Sequence, residues 1–352
     1  MAHQLKHIKK MKKFTEIGQF RQVVSGVRSH HDYKGKDENG DNVYLHDTPY
    51  PTINFRCTVK NHGTNSGIAK YSDGHYEFQS RENKLSLEQD NAGFMRIMSE
   101  KSYQKLFEGI EFNEHCVIYG EWAGKGIQKG VALNDLDKLF IIFAVRIDDV
   151  YQDMENFKHL QNNDERIYNI LQFPYWFVEV DFNYPELMQN KIVELTLAVE
   201  DECPVGKFFG VSGIGEGIVC EGFDKDGNRY IFKSKGVKHA GASKVKTMRV
   251  VDNDKINALI DLADKVTPVW RLQQMLTDAC NLNNGGQIER KYLGDYLKMV
   301  VADVVKEESD VIGESGYEMK DLGKYISDTA RNFFFEQEKL MVFGTSLDNS
   351  NG

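Results

Sequence analysis

Proline and cysteine are scarce in this sequence, and it has no long apolar run. There are six prolines and five cysteines in 352 residues. The cysteines are scattered and none is spaced as CxxC, so we predict neither a disulfide framework nor a zinc site. A reducing, cytoplasmic environment is expected. Because no apolar stretch that could serve as a signal sequence follows the N-terminal lysines, and no run of about 18 apolar residues occurs, we expect neither secretion nor a membrane span.

The formal net charge of −9 argues against a protein that coats nucleic acid nonspecifically. The acidity is uneven, because residues 250–352 carry −7 and residues 1–249 carry −2. Lysines and arginines gather within residues 225–249, and this basic stretch is able to meet phosphates. Five more lysines lie in residues 1–13. This run indicates an anion-binding segment or a solvated, frayed terminus, and we favour the second.

Two patterns of apolar residues divide the chain. Before about residue 250 the runs are short, alternating or continuously apolar, and broken by turn signals, which predicts strands. The clearest are residues 53–59, 68–71, 75–80, 117–122, 139–147 and 175–182. A single amphipathic helical stretch is expected to open near Asn91. After residue 250 an i, i+3, i+4 spacing predicts helices. They are expected near residues 256–263, 269–282, 293–304 and 322–340.

The segment VKNHGTN places Lys60 at the end of a predicted strand, three residues before Gly63. A lone KxxG is weak and favours a surface lysine before a turn. Further charged or aromatic segments follow in order. They are SREN with Arg81, GEWAGKG with Glu121, FIIF with Phe143, EGIV with Glu216, and FKSK with Lys233 and Lys235.

Two features of these segments are unusual for purely structural residues. Glu121 interrupts an apolar strand, where a carboxylate is costly unless something pairs with it. Lys233 and Lys235 are two residues apart, so they share one face of a strand. Taken singly, Phe143 is typical of a core, and the two lysines are typical of a solvated face.

Together, these segments resemble the nucleotidyltransferase motifs of the covalent polynucleotide ligase and capping-enzyme superfamily, and most closely the RNA ligase 2 family. The resemblance covers about residues 55–240. It implies an α+β fold class, with a nucleotidyltransferase domain built on antiparallel sheets and an all-helical C-terminal domain. The expected limits are a basic N-terminal segment at 1–17, an adenylyltransferase domain at 18–248, a helical domain at 249–345 and a disordered tail at 346–352.

The resemblance implies an ATP-dependent RNA ligase that uses Mg²⁺ and joins RNA 3′-hydroxyl and 5′-phosphate ends, a reaction of RNA repair. Lys60 would attack the α-phosphorus of ATP and form lysyl-AMP. Lys233 and Lys235 would hold the α-phosphate and, as neighbouring cations, could make the Lys60 amine a better nucleophile. His62 and Asn65 would lie near pyrophosphate and ribose.

The other roles also follow from matched motif positions. Arg81 would contact the phosphate or ribose side, and Glu121 the ribose hydroxyls. Phe143 would stack on adenine, for which its flat apolar ring is suited. Glu216 would position hydrated Mg²⁺ through water.

Some positions depart from the family pattern. The family commonly has an acidic residue before its nucleophile and an aspartate after the stacking phenylalanine, where this chain has Val59 and Ala144. The stretch 151–174 shows no recognisable motif. The alternatives are a DNA ligase, an mRNA guanylyltransferase, or a nucleic-acid-binding protein without catalysis. We expect a monomer without membrane contact, and the resemblance also allows a phage-encoded enzyme that acts in the host cytoplasm.

Overall fold

We describe the protein from a computed structural model, which describes residues 11–46, 49–239 and 251–348. The chain forms two compact units. The first comprises Met1–Ser25, Thr52–Val180 and Met188–Arg249, and the second Gly26–Pro51, Asp181–Leu187 and Val250–Gly352. Parts of three predicted features lie outside the described residues. They are residues 1–10 of the basic segment, residues 240–249 of the basic stretch and residues 349–352 of the tail.

The described strands and helices are numbered in chain order. The strands are β1 (Tyr33–Lys36), β2 (Asn42–Tyr44), β3 (Thr52–Val59), β4 (Thr64–Tyr71), β5 (Tyr76–Ser80), β6 (His115–Ala123), β7 (Leu139–Ile147), β8 (Val150–Gln152), β9 (Ile167–Asn169), β10 (Tyr175–Asp181), β11 (Gly217–Phe223) and β12 (Arg229–Lys235). The helices are α1 (Phe20–Asp32), α2 (Phe94–Ser99), α3 (Gln189–Asp201), α4 (Pro204–Phe208), α5 (Asn253–Val266), α6 (Val269–Ala279), α7 (Leu293–Glu307), α8 (Ser309–Glu314) and α9 (Met319–Asp348).

The first unit is built on two sheets. One has the strand order β10-β3-β11-β12, and the other has the order β5-β4-β6-β7-β8, with β9 added parallel to β7. Apart from β9, the registered pairs in these sheets are antiparallel. With the helices of the second unit, this architecture confirms the predicted α+β fold class.

Both faces of the larger sheet are covered. On one face Ile68, Ile118 and Phe140 pack with Phe94 and Met98 of α2 in a buried core. The opposite face carries a second buried cluster, which consists of Ala69, Tyr71, Val117, Tyr119 and Ala144. Alternation along β4, β6 and β7 places successive residues on opposite faces, which explains their nearly continuous apolar sequences.

The structure confirms the strands predicted from the sequence and adds three helices, α1, α3 and the short α4, to the region where strands were expected. In α3, Val193, Leu195, Leu197 and Val199 alternate with other residues as in a strand. Packing against β11 and β12 stabilises this segment as a helix. Tertiary contacts thus outweigh a local pattern with a period of two.

The expectation that the cysteines are unpaired is wrong for two of them. Cys57 and Cys220 form a disulfide between β3 and β11. They are direct partners in the register of these antiparallel strands, although 163 positions separate them in the sequence. Sequence spacing could not reveal this pair, because the strand register brings the two sulfurs together. The other three cysteines are free and buried.

The second unit has a helical core formed by α5 to α9, with Leu276, Tyr296, Val300, Ile326 and Phe334 fully or almost fully buried. The predicted C-terminal helices are therefore present. Helix α9 extends to Asp348, so the first residues of the expected disordered tail are helical. Among the described residues, no helix is long and apolar enough to cross a membrane.

Two segments that the sequence assigned to the adenylyltransferase domain, Gly26–Pro51 and Asp181–Leu187, cluster with the second unit. Contacts inside that unit explain the difference. Arg28 donates to the carbonyl of Phe182 over 2.9 Å, and the Asn183 side chain accepts from the Tyr50 N–H, also over 2.9 Å. Such long-range hydrogen bonds have no signature in the sequence.

Candidate nucleotide site

A cavity of about 400 Å³ in the first unit is lined by strands of both sheets. All nine candidate site residues line it: Lys60, His62, Asn65, Arg81, Glu121, Phe143, Glu216, Lys233 and Lys235. Segments that are far apart in the chain therefore meet at one place.

The register of β3 and β11 brings Lys60 and Glu216 together. Lys60 directly follows β3, and Glu216 directly precedes β11. The backbone N–H of Lys60 donates to the carbonyl of Gly217 over 2.8 Å, and Lys60 Nζ lies 2.6 Å from Glu216 Oε2. Gly217 has a φ of +137°, and a Cβ there would lie 2.1 Å from the carbonyl oxygen of Ser234. Only glycine fits this close approach.

Glu216 is the most buried charged residue of the cavity wall, with 2% of its surface exposed. Its Oε1 lies 2.6 Å from Lys235 Nζ, and His62 Nδ1 donates to its Oε2 over 3.1 Å. Burial alone would raise the pKa of Glu216. The contacts with His62, Lys60 and Lys235 outweigh that effect and hold the pKa well below its usual range. Glu216 is therefore an ionised carboxylate between two lysines.

Glu121 is a second carboxyl in the same cavity. Its environment raises its pKa, whereas that of Glu216 lowers the pKa of Glu216. Burial raises the pKa of Glu121 to about 7, and the charge of Glu216 contributes to the rise. The backbone N–H of Gly63 donates to Glu121 Oε1 over 2.9 Å. A Cβ on Gly63 would lie 2.3 Å from the carbonyl oxygen of Trp122, so glycine is needed for this approach. Perturbed carboxyl pairs of this kind are typical of functional sites.

Lys233 and Lys235 lie on β12 and face the cavity, as their two-residue spacing predicts. Burial lowers the pKa of Lys233, and the nearby charges of Lys235, Lys60 and Arg81 lower it further. Arg81 follows β5, and 58% of its side chain is exposed. Lys60, Lys233 and Lys235 lie near the buried carboxylate of Glu216, whereas Arg81 also lies 3.7 Å from the exposed Glu82. This excess of positive charge favours an anionic ligand.

Phe143 reaches the cavity because β7 is irregular. The register of β6 and β7 shifts between Tyr119 and Gly120, so that Ala144 pairs with Tyr119 and Ile142 with Gly120. Phe143 is the extra residue between these pairs, as in a β-bulge. Bulges redirect side chains and are frequent beside active sites. The half-buried ring lines the cavity, where it can stack on a flat ligand.

Two asparagines place unpaired acceptors at the cavity. Asn61 directly follows Lys60 and is 7% exposed, and Asn65 pairs across the strands with Glu121. The Oδ1 atoms of both asparagines are buried and have no hydrogen-bond partner among the described residues. Buried acceptors without partners are rare in native proteins and require an explanation.

Residues 11–18, which we call the N-terminal strap, form part of the cavity wall. The carbonyl of Lys12 accepts hydrogen bonds from Tyr119 and Gln79 of the larger sheet. At the other end of the strap, the carbonyl of Gly18 accepts from the backbone N–H of Lys233 in the smaller sheet. The expectation of a frayed terminus is therefore wrong for the described part of the lysine run, because Lys12 also forms an ion pair with Asp149 over 2.8 Å.

The strap meets a group of charged and aromatic residues at the cavity wall. The guanidinium of Arg229 lies 3.9 Å from the ring centroid of Tyr151 and 5.4 Å from that of Phe14. Arg229 also forms an ion pair with Glu221, and its side chain is 10% exposed. Arg56 forms ion pairs with two other carboxylates, Asp153 at 2.6 Å and Glu155 at 3.2 Å. We call Phe14, Arg56, Tyr151, Glu221 and Arg229 the arginine wall.

The arginine wall was not predicted from the sequence, although two signals were available. Arg56 and Thr58 precede Lys60 at intervals of two on β3, and Arg229 precedes Lys233 at an interval of four on β12. Alternation therefore places each arginine on the face that carries a candidate lysine. No comparable signal existed for Phe14 and Tyr151, which lie in segments without a recognisable motif.

A divalent cation was expected near Glu216. Among the described residues, no group of three or more His, Cys, Asp and Glu side chains could hold a metal ion. Both oxygens of Glu216 already contact protein donors. One ionised carboxylate beside an anion-binding cavity suits a hydrated Mg²⁺, which keeps several waters and needs few protein ligands. The donor set therefore fits a cation held through water and does not fit a fully coordinated metal.

The cavity of this α+β fold combines an excess of positive charge with two carboxyl groups of opposite pKa shift, which suits an anionic ligand. The family model described as RNA ligase matches residues 53–235, which is more than half of the chain. The chain belongs to the RNA ligase family. No curated protein sequence matches significantly.

Solved structures of the RNA ligase of Naegleria gruberi are similar to this chain. The structure with PPi is 18% identical, with a TM-score of 0.41, and a lysine mutant with ATP and Mn is 17% identical, also with a TM-score of 0.41. Each match covers 65% of this chain and 57% of the other. The chain thus spans less than two thirds of the length of these relatives.

Proposed function

We propose that this protein is an ATP-dependent RNA ligase that joins RNA 3′-hydroxyl and 5′-phosphate ends through lysyl-AMP and adenylated RNA. The observation that carries the proposal is the position of Lys60. It lies in a cavity with a basic region, formed with Arg81, Lys233 and Lys235, and with the unpaired acceptors of Asn61 and Asn65. A nucleotide has the matching groups, because its phosphates are anionic and its nucleoside donates hydrogen bonds.

The first step forms a bond between Lys60 Nζ and the α-phosphorus of ATP and breaks the bond to pyrophosphate. The Lys60 amine must separate from Glu216 and lose a proton before it attacks. Lys233 and Lys235 stabilise the negative charge that develops on the α-phosphate. Preorganised cations in a partly dehydrated cavity are effective at this task, because they need not reorient during the reaction.

Two further transfers complete the proposed reaction. A 5′-phosphate oxygen of RNA attacks the lysyl-AMP phosphorus, the P–N bond breaks, and Lys60 regains a proton. The RNA 3′-hydroxyl then attacks the adenylated 5′-phosphate and releases AMP as the new phosphodiester forms. Each step builds negative charge on a phosphate, so the same cations can serve all three.

The other residues have supporting roles in this proposal. Glu121 and Asn65, which are cross-strand partners, bind the ribose, and Phe143 stacks on adenine. His62 and Arg81 contact the phosphates. Glu216 orients Lys60 and Lys235, and it is the residue that would hold hydrated Mg²⁺ through water. Such a cation supplies positive charge that offsets the charge of the leaving pyrophosphate.

The experiment is incubation of the protein with α-labelled ATP and Mg²⁺, followed by denaturing electrophoresis. We expect a labelled covalent adduct that Lys60→Ala abolishes and that Lys105→Ala, a change at an exposed lysine outside the cavity, leaves intact. Absence of an adduct from the unaltered protein would contradict the proposal. An adduct formed with GTP alone would identify a guanylyltransferase.

A second assay tests the substrate. Nicked duplex RNA, single-stranded RNA and nicked DNA are compared for sealing by the full chain. We expect sealing of RNA, and equal or better sealing of DNA would contradict the assignment.

We also propose that residues 18–248 act as the adenylyltransferase domain and residues 249–345 as a helical domain that engages RNA.

A further inference from the structure

The N-terminal strap has no role in the mechanism above, although it forms part of the cavity wall. It lies outside residues 53–235, which match the family model. Phe14 of the strap and Phe143 both line the cavity, and their ring centroids are 5.2 Å apart with an interplanar angle of 70°. Edge-to-face contacts at this distance are favourable for aromatic rings. The strap therefore touches the side chain that we expect to stack on the base.

Phe143 needs such support because of its position in β7. It is the extra residue of the bulge, and the extra residue of a bulge is left unpaired by the strand ladder. Among the residues that the structure describes, Phe14 provides the only aromatic ring in contact with Phe143. The orientation of the Phe143 ring thus depends on where the strap holds Phe14.

Hydrogen bonds hold the strap on both sides of Phe14. The carbonyl of Lys12 accepts from the hydroxyl of Tyr119 over 2.6 Å, and the backbone N–H of Thr15 donates to the hydroxyl of Tyr151 over 3.0 Å. The rings of the same two tyrosines contact the Phe14 ring, with centroid distances of 5.2 Å and 5.6 Å. Phe14 is therefore held in place without any ligand, which is the condition for a preorganised binding wall.

We propose that Phe14 is a positioning residue that holds the Phe143 ring in place for a planar base, and that the strap is thereby an integral wall of the nucleotide cavity. This inference rests on the proposed function, since it assigns the support of the residue that stacks on adenine. Phe14 acts on the affinity for the nucleotide and not on the chemical step, because its effect passes through Phe143.

The test uses point variants of the full-length protein, because removal of the strap would also remove the Gly18 carbonyl that accepts from the backbone N–H of Lys233. Calorimetry measures the equilibrium binding of two ligands in the presence of Mg²⁺. One is α,β-methylene-ATP, which carries the adenine base but cannot release pyrophosphate. The other is inorganic triphosphate, which has no base. The maximal rate of adduct formation with labelled ATP is measured in parallel.

Phe14→Leu should weaken the binding of α,β-methylene-ATP about fivefold, which is the size expected for one aromatic contact. Triphosphate binding and the maximal rate of adduct formation should not change. Phe14→Tyr keeps the ring and should keep the affinity. Phe177→Leu, at an exposed phenylalanine of β10 outside the cavity, is the matched control and should change none of these quantities. If Phe14→Leu does not fold, Phe14→Met replaces it, because methionine lacks a ring but adapts to irregular space.

A double variant shows whether Phe14 acts through Phe143. Phe143→Leu should weaken the binding of α,β-methylene-ATP by itself, and Phe14→Leu should then add no more than about a twofold loss, because residues that act through one contact are not additive. Additive losses would overturn the inference. So would a loss of triphosphate binding in Phe14→Leu as large as the loss of nucleotide binding, since that result would mean a general disturbance of the cavity.

The outcomes also separate this inference from the function on which it rests. Binding of α,β-methylene-ATP with the expected dependence on Phe14, but without any adduct from labelled ATP, would overturn the ligase proposal alone. An adduct together with unchanged binding of α,β-methylene-ATP in Phe14→Leu would overturn the role of Phe14 alone. An unaltered protein that does not bind α,β-methylene-ATP would contradict both.

Discussion

The basic region of the cavity and the arginine wall are both rich in charge, but the charges are arranged differently. In the basic region, Lys60 and Lys235 share the single carboxylate of Glu216, and Lys233 lies among other cations, which help to lower its pKa. In the arginine wall, Arg56 pairs with Asp153 and Glu155, Arg229 pairs with Glu221, and Glu221 also lies 4.0 Å from Arg56. The first arrangement leaves positive charge for a ligand, whereas the second neutralises its charge within the protein.

This difference predicts separate roles for the two regions, with ligand binding in the basic region and fold stability in the arginine wall. Uncompensated cations reduce the stability of the free protein and become favourable only when an anion binds. Paired and buried arginines stabilise the fold, and removal of one partner leaves a buried charge without compensation. We therefore expect substitutions in the two regions to affect different properties.

Among the substitutions that compare the two regions, Lys233→Met should have the largest effect on activity. The substitution keeps most of the side-chain volume and removes a cation that we place on the α-phosphate. Adduct formation should fall about 100-fold. The free energy of unfolding should stay the same or rise, because repulsion from Lys235 and Lys60 is relieved. Labelled-ATP assays measure adduct formation, and denaturant titration measures the free energy of unfolding. A clear loss of stability in Lys233→Met would contradict the separate roles of the two regions.

Arg229→Met should have the reverse effect. Glu221, with 12% of its side chain exposed, loses its closer ion pair and keeps only Arg56 at 4.0 Å, and the contacts with Tyr151 and Phe14 are lost as well. We expect the free energy of unfolding to fall by about 3 kcal/mol, while adduct formation at saturating ATP changes much less than in Lys233→Met. Arg96→Met, at an exposed position on α2, is the control. Unchanged stability would show that the arginine wall is not a structural element.

Substitution of Glu121 should have the smallest effect, which is a change in stability whose size depends on pH. Burial raises its pKa from 4.5 to about 7, so between these values the folded protein binds a proton that the unfolded chain does not. The contribution of Glu121 to stability is therefore present at low pH and falls as the pH rises towards 7. Glu121→Gln stays neutral and still accepts from Gly63. It should match the unaltered protein near pH 5 and exceed its stability at pH 8 in thermal unfolding.

The sequence was sufficient for the candidate residues of the basic region because these residues occur in short motifs. Lys60 and His62 belong to the seven-residue segment VKNHGTN, and Lys233 and Lys235 span only three residues. Alternation in a strand then predicts which side chains share a face. The strands and the C-terminal helices were also predictable, since their apolar residues repeat with the periods of two and 3.6 that these structures require.

The arginine wall, the strap and the disulfide could not be predicted in the same way. Arg229 meets Phe14 and Tyr151 through the fold, and Cys57 meets Cys220 through a strand register. Helix α3 was missed because its apolar residues alternate like those of a strand. These features depend on long-range contacts, which local periodicity does not contain.

The sequence by itself thus indicated the fold class and the set of candidate residues, because its motifs together, in their order, resemble those of a known family and its apolar residues repeat with the periods of strands and helices. The tertiary structure alone decided which carboxyl is ionised and which acceptors have no partner. Glu121 and Glu216 are the same residue type, and only their burial and neighbours move their pKa values in opposite directions. Among the residues that the structure describes, the side-chain oxygen of Asn61 has no hydrogen-bond partner, which likewise became visible only in the folded chain.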